Sequence, residues 1–143
     1  MRKLAVLGYG NIGNGVCQVV EKSGELLAER LGEGIEVKYV LDIRDFPGDF
    51  MEKKVVHDVE LIINDPENEV VCETIGGVHP AYDYTKQALE AGKSVCTSNK
   101  ELVAQKGAEL QKIAKAHGCN YFFEACVGGG IPLIRTIASS LAS

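Results

Sequence analysis

The sequence predicts an α/β fold in which a mostly parallel, doubly wound sheet forms a Rossmann-like dinucleotide-binding domain. Three observations indicate it: an apolar strand at the N-terminus, a glycine-rich turn directly after that strand, and alternating strand-like and helix-like segments along the rest of the chain. The 143 residues suffice for one such domain and are too few for two of ordinary size. We therefore expect residues 1–143 to form a single dinucleotide-binding domain.

Two strands are predicted in the first half of the chain. Leu4–Leu7 is a short, wholly apolar strand, and apolar residues recur at helical spacing from Val16 to about residue 31, before Gly32 and Gly34 end that helix. Glu36–Leu41 reads as the second strand. Residues 46–56 are rich in turn-forming residues, so we expect an exposed connection, followed by a short helix over residues 59–64.

The second half continues the alternation. Asn99 is expected to cap a long helix that ends at Gly118, and Pro80 is expected to open the helix before it. The other elements expected here are strands over 69–74, 94–97 and 121–123, a glycine loop over 127–130 and a final helix over 131–141. The carboxyl ends of parallel strands meet at one edge, where ligands of such sheets bind. The loops 8–13, 42–45, 74–77, 98–100 and 124–130 should therefore form one site.

The composition excludes several classes of protein. Hydrophobic residues make up 45% of the chain and charged residues 24%, which is typical of a soluble globular protein. A net charge of −5 without a Lys/Arg cluster argues against a nucleic-acid partner. No apolar stretch is long enough to span a membrane, and Met1–Lys3 leads into a strand rather than a signal peptide. We expect neither a nucleic-acid nor a membrane partner.

The cysteine and histidine pattern predicts neither disulfides nor zinc. The cysteines are odd in number and form no CxxC pair: Cys17, Cys72, Cys96, Cys119 and Cys126. We expect reduced, mostly buried thiols in a cytoplasmic protein. Zinc needs clustered ligands, and the three histidines lie far from one another.

The glycine turn is the most informative motif. Gly8, Gly10 and Gly13 form a GxGxxG pattern between an apolar strand and a helix, which is the context that a dinucleotide fingerprint requires. Gly8 permits the tight turn, Gly10 lets the backbone approach a pyrophosphate, and Gly13 lets the helix pack against the strand. The helix N-terminus adds free N–H groups and partial positive charge for the phosphates.

A residue at the end of the second strand is expected to contact the adenosine ribose of the cofactor. An acidic residue there hydrogen-bonds the 2′-hydroxyl of NAD, whereas Arg accommodates the 2′-phosphate of NADP. Asp42 occupies the expected place, and Arg44 points to the same side of an extended backbone. Asp42 favours NAD and is our preferred interpretation, while Arg44 keeps NADP open as the alternative.

Two further polar residues lie at predicted strand ends. Lys100 follows the fourth strand and is placed to bind a carboxylate or carbonyl oxygen near the nicotinamide, or the cofactor itself, although a lysine at a helix start is more often a surface residue. Glu124 emerges from an aromatic strand beside three consecutive glycines, which suits a cation site. A carboxylate that accepts from neighbouring loop N–H groups is the alternative for Glu124.

Together these segments resemble the cofactor domain of homoserine dehydrogenase over essentially the whole chain. The resemblance rests on four motifs: GYGNIGNGV at 8–16, ETIGG at 73–77, TSNKELVA at 97–104 and FEACVGGGIPLIRT at 123–136. It implies the reduction of a small molecule, L-aspartate 4-semialdehyde, to L-homoserine with NADH or NADPH, on the branch toward threonine and methionine.

The resemblance also implies roles for individual residues. Tyr9, Asn11 and Ile12 would contact the cofactor, as would Ile75 and Gly76 of the second motif. Ser98 and Lys100 would lie by the nicotinamide and substrate, with Lys100 catalytic. The implied ligands of a monovalent cation, usually sodium, are Glu124 and the backbone carbonyls of Val127, Gly129 and Ile131.

The chain departs from the family in its length. In the family, the dimerising domain, the substrate-binding carboxylates and a second lysine follow the segment that ends here at Ser143. We therefore expect a fragment that binds cofactor with little or no turnover, and a homodimer for the full-length protein. The alternatives are a dehydrogenase of another small amino acid or semialdehyde, and a stand-alone nucleotide-binding or redox-sensing module.

Overall fold

The computed structural model describes residues 2–22, 24–25, 29, 32 and 34–123, which contain a six-stranded parallel sheet with the strand order β3-β2-β1-β4-β5-β6. The strands are β1 (Arg2–Leu7), β2 (Ile35–Leu41), β3 (Val55–Val56), β4 (Asn68–Glu73), β5 (Ser94–Thr97) and β6 (Tyr121–Phe123). The α-helices are α1 (Asn11–Lys22), α2 (Glu60–Ile63), α3 (Ala81–Glu90) and α4 (Lys100–Ala116), and a 3₁₀ turn spans Glu52–Lys54. This strand order reverses at β1, so the crevice between β1 and β4 is the topological switch point of the sheet.

Strand β1 is central because its side chains are apolar on both faces. Leu4 and Val6 pack on the face that carries α1, while Ala5 and Leu7 pack on the opposite face, in the core shared with α3 and α4. Alternate residues of a strand point to opposite faces, so only an unbroken apolar run suits a strand covered on both sides.

Helix α1 covers one face through an apolar stripe. Its buried residues are Gly13, Val16, Cys17 and Val20, at the i, i+3, i+4 and i+7 positions that share one side of a helix. Their packing against Leu4 and Val6 anchors the N-terminus of α1 beside the end of β1.

The sequence-based prediction of the α/β fold class is confirmed. Helix α4 begins where Asn99 was expected to cap it, and the Asn99 side chain accepts a hydrogen bond from the Leu102 N–H at 3.0 Å. Helix α3 begins one residue after the expected Pro80. The predicted continuation of the first helix toward residue 31 lies largely outside the described residues, and the glycine loop over 127–130 and the helix over 131–141 lie wholly outside them.

The expectation of a purely exposed connection over residues 46–56 is wrong. The segment contains the 3₁₀ turn and the edge strand β3, in which Val55 pairs with Val40 and Val56 with Leu41. Met51 lies in the core, with 1% of its surface exposed. A two-residue strand carries no periodicity, and its pairing depends on the free edge of β2 rather than on local sequence. This strand extends the sheet and delivers His57 to the carboxyl edge.

The described cysteines lie in apolar surroundings. Cys17, Cys72 and Cys96 are buried, and Cys119 is partly buried. Burial raises the pKa of the Cys17 thiol to about 12 and the pKa of Cys72 well above its ordinary value, so both thiols stay protonated and unreactive at neutral pH. In the described part of the chain, no helix is long and apolar enough to cross a bilayer, and no group of three His, Cys, Asp or Glu side chains is arranged to hold a metal ion.

Candidate functional site

The three glycines of the first turn have the geometry expected of them. Gly8 has a φ of 91°, in the left-handed region, and its N–H donates to the Leu41 carbonyl at 2.7 Å. A Cβ on Gly13 would lie 2.0 Å from the Gly8 oxygen, so α1 approaches β1 closely only because residue 13 has no side chain. A Cβ on Gly10 would meet nothing within 4 Å. The backbone at Gly10 is therefore open to a ligand.

Tyr9 differs from the other residues of this turn because its side chain is buried, with 4% exposed. Its hydroxyl donates to Asp49 at 2.7 Å and accepts from the Asn14 amide at 2.9 Å, and its ring meets that of Phe46 edge-on at 4.8 Å. Burial and the neighbouring Asp49 carboxylate raise the pKa of the Tyr9 hydroxyl. Its cofactor role stays a prediction, and only its backbone lies at the turn.

The loops after β1 and β4 are joined at the switch point. The Thr74 N–H donates to the Leu7 carbonyl at 2.9 Å, and the Thr74 hydroxyl lies 2.8 Å from the Gly8 oxygen and 3.0 Å from the Leu7 oxygen. A Cβ on Gly8 would come within 3.0 Å of the Ile75 Cα. This packing brings the predicted residues Ile75 and Gly76 beside the glycine turn.

Asp42 is held by four donors at the end of β2. Its Oδ1 accepts from the Arg44 N–H at 2.9 Å and from Arg44 Nε at 3.0 Å, while its Oδ2 accepts from the Tyr9 N–H at 2.9 Å and from Arg44 Nη2 at 3.1 Å. Burial acts to raise the pKa of Asp42, but these hydrogen bonds outweigh it and lower the pKa to about 2. The Asp42 side chain is only 7% exposed, whereas that of Arg44 is 61% exposed.

A mostly apolar cleft of about 220 Å³ opens beside Asp42. It is lined by Gly8, Leu41, Asp42, Ile43, His57, Ile75, Pro80 and Tyr84. Ile43 is 94% exposed, which is unusual for a large aliphatic side chain and leaves one wall of the cleft uncovered. The cleft has the apolar walls and the single edge carboxylate that suit an adenosine group.

His57 ties the β2 and β3 ends together at this cleft. Its Nδ1 lies 2.6 Å from the Asp42 backbone oxygen, and its Nε2 lies 2.9 Å from an Asp45 carboxylate oxygen. Both partners accept hydrogen bonds, so they favour the imidazolium and raise the pKa of His57. Sequence reasoning did not select His57, because the edge strand that positions it was not predicted.

A second polar group lies at the carboxyl ends of β4 and β5. Glu73 is fully buried, and its carboxylate accepts from the Thr97 hydroxyl at 2.7 Å and from the Ile75 N–H at 2.8 Å. The Thr97 oxygen accepts from the Asn99 N–H at 2.9 Å, and the Asn99 amide donates to the Gly77 carbonyl at 2.5 Å. Sequence reasoning did not identify Glu73 as a candidate site residue either. A carboxylate directly after the apolar run Val70–Cys72 could have indicated it.

The described candidate residues lie at one edge of the sheet. Ser98, which is partly buried, and Lys100, which is exposed, follow β5. Asn11 is exposed at the start of α1, and Ile12 packs against the core. The predicted cation ligands Glu124, Val127, Gly129 and Ile131 lie outside the described residues. The binding and catalytic roles of all these residues stay predictions.

Comparisons with known proteins agree on one family. The family model for the NAD-binding domain of homoserine dehydrogenase matches residues 8–124. The homoserine dehydrogenase of Bacillus subtilis is 37% identical over 145 residues, which cover 99% of this chain and 33% of that protein. The crystal structure of a homoserine dehydrogenase from Thiobacillus denitrificans has a TM-score of 0.80 and 34% identity, over 95% of this chain and 32% of that one.

A more distant structure supports the fold alone. A hyperthermophilic archaeal homoserine dehydrogenase in complex with NADPH is 20% identical, with a TM-score of 0.72 over 95% of this chain and 47% of that one. The chain spans about a third of the length of the curated relatives it matches. Since the family model covers most of the chain, from the glycine turn to the end of the described sheet, the chain belongs to the family of NAD-binding domains of homoserine dehydrogenase.

Proposed function

We propose that this chain is the cofactor-binding part of a homoserine dehydrogenase, and that it binds NAD or NADP across the carboxyl edge of the sheet. The observation that carries the proposal is the open backbone at Gly10, which lies at the switch point next to an apolar cleft. A pyrophosphate over this turn would face the N-terminus of α1, where backbone N–H groups and the helix dipole favour an anion.

The cleft beside Asp42 is the proposed adenosine site. The adenine ring would lie between Ile43 on one side and Pro80 and Tyr84 on the other, which supply the apolar contacts that a planar base needs. This position leaves the ribose next to Asp42 and Arg44. The other half of the dinucleotide would then extend over the ends of β4 and β5, because each half of a doubly wound sheet takes one nucleotide.

We propose that Asp42 and Arg44 determine the preference between NAD and NADP. The four donors to Asp42 leave its oxygens little capacity to accept from a ribose 2′-hydroxyl, and Arg44 offsets the repulsion that Asp42 would exert on a 2′-phosphate. The mostly exposed Arg44 guanidinium is available to a phosphate group. We infer that the domain accepts both cofactors, which weakens the preference for NAD suggested by Asp42 alone.

Ser98 and Lys100 are the proposed residues at the reacting end. When bound, the reduced nicotinamide supplies the hydride that converts an aldehyde such as L-aspartate 4-semialdehyde to an alcohol. The Lys100 ammonium group would donate to the aldehyde oxygen and stabilise its developing charge, while the Ser98 hydroxyl would orient the carboxamide or the substrate. A cation in the first turn of α4 opposes the helix dipole, so this position is costly for a purely structural lysine.

Calorimetric titration of the chain with NAD, NADH, NADP and NADPH tests the proposal. We expect the chain to bind NAD or NADH, and also NADP or NADPH. A chain that binds none of the four would refute the proposal. Arg44→Ala should weaken NADP binding about tenfold and leave NAD binding unchanged or stronger. Lys53→Ala removes the same charge from an exposed position outside the cleft and serves as the control. Equal losses for both cofactors in Arg44→Ala would contradict the assignment of Arg44.

Further proposals concern the whole protein, the turnover of this chain and a bound cation. We propose that it is a cytoplasmic homodimer that interconverts L-aspartate 4-semialdehyde and L-homoserine, and that this chain alone shows little turnover; rapid homoserine oxidation by the purified chain would contradict this. We also propose, from the resemblance, that Glu124 and nearby carbonyls bind sodium. Sodium chloride should then raise the melting temperature above that in tetramethylammonium chloride, and Glu124→Gln should remove this difference.

A further inference from the structure

Glu73 is a buried carboxylate at the end of β4, with 0% of its surface exposed. Removing a carboxylate from water is costly unless donors replace the lost hydration. Here the Thr97 hydroxyl donates to one oxygen at 2.7 Å, and the Ile75 N–H donates to the other at 2.8 Å, with the Gly76 N–H at 3.4 Å from the same oxygen. These donors come from the loop after β4 and from the last residue of β5, so the carboxylate joins two neighbouring strand ends.

The connection continues through Thr97 to the start of α4. Thr97 is also fully buried, and its oxygen accepts from the Asn99 N–H at 2.9 Å. The Asn99 side chain caps α4 through the Leu102 N–H and donates to the Gly77 carbonyl at 2.5 Å, in the loop after β4. The hydrogen bonds from Glu73 at the end of β4 through Thr97 and Asn99 therefore lead back to the loop that follows β4.

The residues joined by these hydrogen bonds flank Ser98 and directly precede Lys100. Ser98 lies between the two hydrogen-bonded residues Thr97 and Asn99, and Lys100 is the first residue of the helix that Asn99 caps. A hydrogen bond on each side of Ser98 restricts the backbone there, and the cap restricts the start of α4. Of the residues that line the cleft, Ile75 takes part through its backbone N–H, whereas Asp42 and Ile43 take no part.

We propose that Glu73, Thr97 and Asn99 form a positioning unit that holds the loops after β4 and β5 in register for the nicotinamide half of the cofactor. The inference rests on the proposed cofactor site and adds to it three residues that need not touch the ligand. The unit acts on the nicotinamide half, since Ser98 and Lys100 lie beside Thr97 and Asn99. It meets the adenosine cleft through the Ile75 N–H, and the loss of the Thr97 hydroxyl leaves that bond to Glu73 in place.

The test compares NAD with ADP-ribose, which lacks the nicotinamide, in titrations of the whole chain. Thr97→Val keeps the shape of the side chain and removes the hydroxyl that links Glu73 to Asn99. We expect it to weaken NAD binding about tenfold and ADP-ribose binding by less than about twofold, while Thr97→Ser retains the NAD affinity. The control is Thr85→Val, since Thr85 is also fully buried and its hydroxyl has no hydrogen-bond partner among the described residues.

A second variant covers the case in which Thr97→Val does not fold. Asn99→Asp keeps an acceptor for the Leu102 N–H but replaces the donor to the Gly77 carbonyl with another acceptor. We expect the same selective loss of NAD binding, with circular dichroism showing that the helices remain.

The outcomes separate this inference from the proposed function. Wild-type affinity for NAD in Thr97→Val, or parallel losses of NAD and ADP-ribose, would overturn the positioning unit, since the first shows no role and the second a general structural one. A wild-type chain that binds NAD no more tightly than ADP-ribose would overturn it too. A wild-type chain that binds neither ligand would instead refute the proposed cofactor site itself.

Discussion

Gly13→Ala is the change that most directly probes the contact between α1 and β1. A Cβ at this position would lie 2.0 Å from the Gly8 carbonyl oxygen and 2.9 Å from the Thr74 hydroxyl oxygen. The Gly8 oxygen belongs to the backbone of the turn, and the Thr74 hydroxyl is held between the Gly8 and Leu7 carbonyl oxygens. Neither atom can rotate away, so the start of α1 must move outward by about 1 Å or more to relieve the overlap.

The expected loss of stability follows from this displacement. Overpacking a tightly packed site costs about 1–3 kcal/mol, and a rigid backbone partner favours the upper end of that range. Alanine gains up to about 1 kcal/mol over glycine inside a helix, which offsets part of the cost. We expect Gly13→Ala to lower the free energy of unfolding by about 2 kcal/mol. The displaced turn should also weaken NAD binding.

Gly10→Ala is the matched control, because a Cβ there meets nothing within 4 Å in the chain. It should leave the free energy of unfolding within about 0.5 kcal/mol of wild type, yet weaken NAD binding because the added methyl group occupies the space proposed for the pyrophosphate. Urea unfolding followed by far-UV circular dichroism suits a chain with no tryptophan, and calorimetry gives the affinity. Wild-type stability in Gly13→Ala would refute the packing argument, and wild-type NAD affinity in Gly10→Ala would refute the placement of the pyrophosphate.

Three other predictions concern stability. Asn99→Ala should lower the free energy of unfolding by about 1 kcal/mol through loss of the α4 cap, whereas Asn99→Ser should retain most of it. Met51→Ala should lower the free energy of unfolding in urea by about 2–5 kcal/mol, because Met51 is only 1% exposed. The neighbouring Phe50 is 54% exposed, so Phe50→Ala should lower it far less. Equal losses in the two variants would contradict the burial of Met51. The lowered pKa of Asp42 stabilises the fold above about pH 4, and this contribution is lost as the pH falls through about 2. Since the partner Arg44 is mostly exposed and screened, the contribution should be about 1 kcal/mol; an acid-unfolding curve for Asp42→Asn parallel to that of wild type would show that Asp42 contributes nothing.

Much of the fold could be predicted because its signals are local. The apolar run Leu4–Leu7 requires a strand covered on both faces, and the glycine turn that follows requires a helix packed against it. The cap at Asn99 depends on residues three apart. The carboxyl-edge position of the candidate loops then follows from parallel strands alone.

The rest of the site depends on contacts that are distant along the chain. β3 was missed because two residues become a strand only beside the free edge of β2. Asp42 was correctly placed at a strand end, but its Tyr9 donor lies 33 residues away. The two hydrogen bonds that the Arg44 guanidinium donates to the Asp42 carboxylate could not be predicted from the spacing of the two residues. Glu73 meets Thr97 across 24 residues because β4 and β5 are neighbours in the sheet.

The sequence by itself determined the fold class, the glycine turn and the edge of the sheet at which the candidate loops meet, since each follows from short-range periodicity, glycine chemistry and the geometry of parallel strands. Only the tertiary structure decided which donors occupy Asp42, that the Tyr9 side chain turns inward, that Ile43 and Tyr84 wall a cleft, and that Glu73 and Thr97 share a buried hydrogen bond. The physical reason is that the order of strands in the sheet sets which distant side chains meet, and hydrogen bonding then selects their partners.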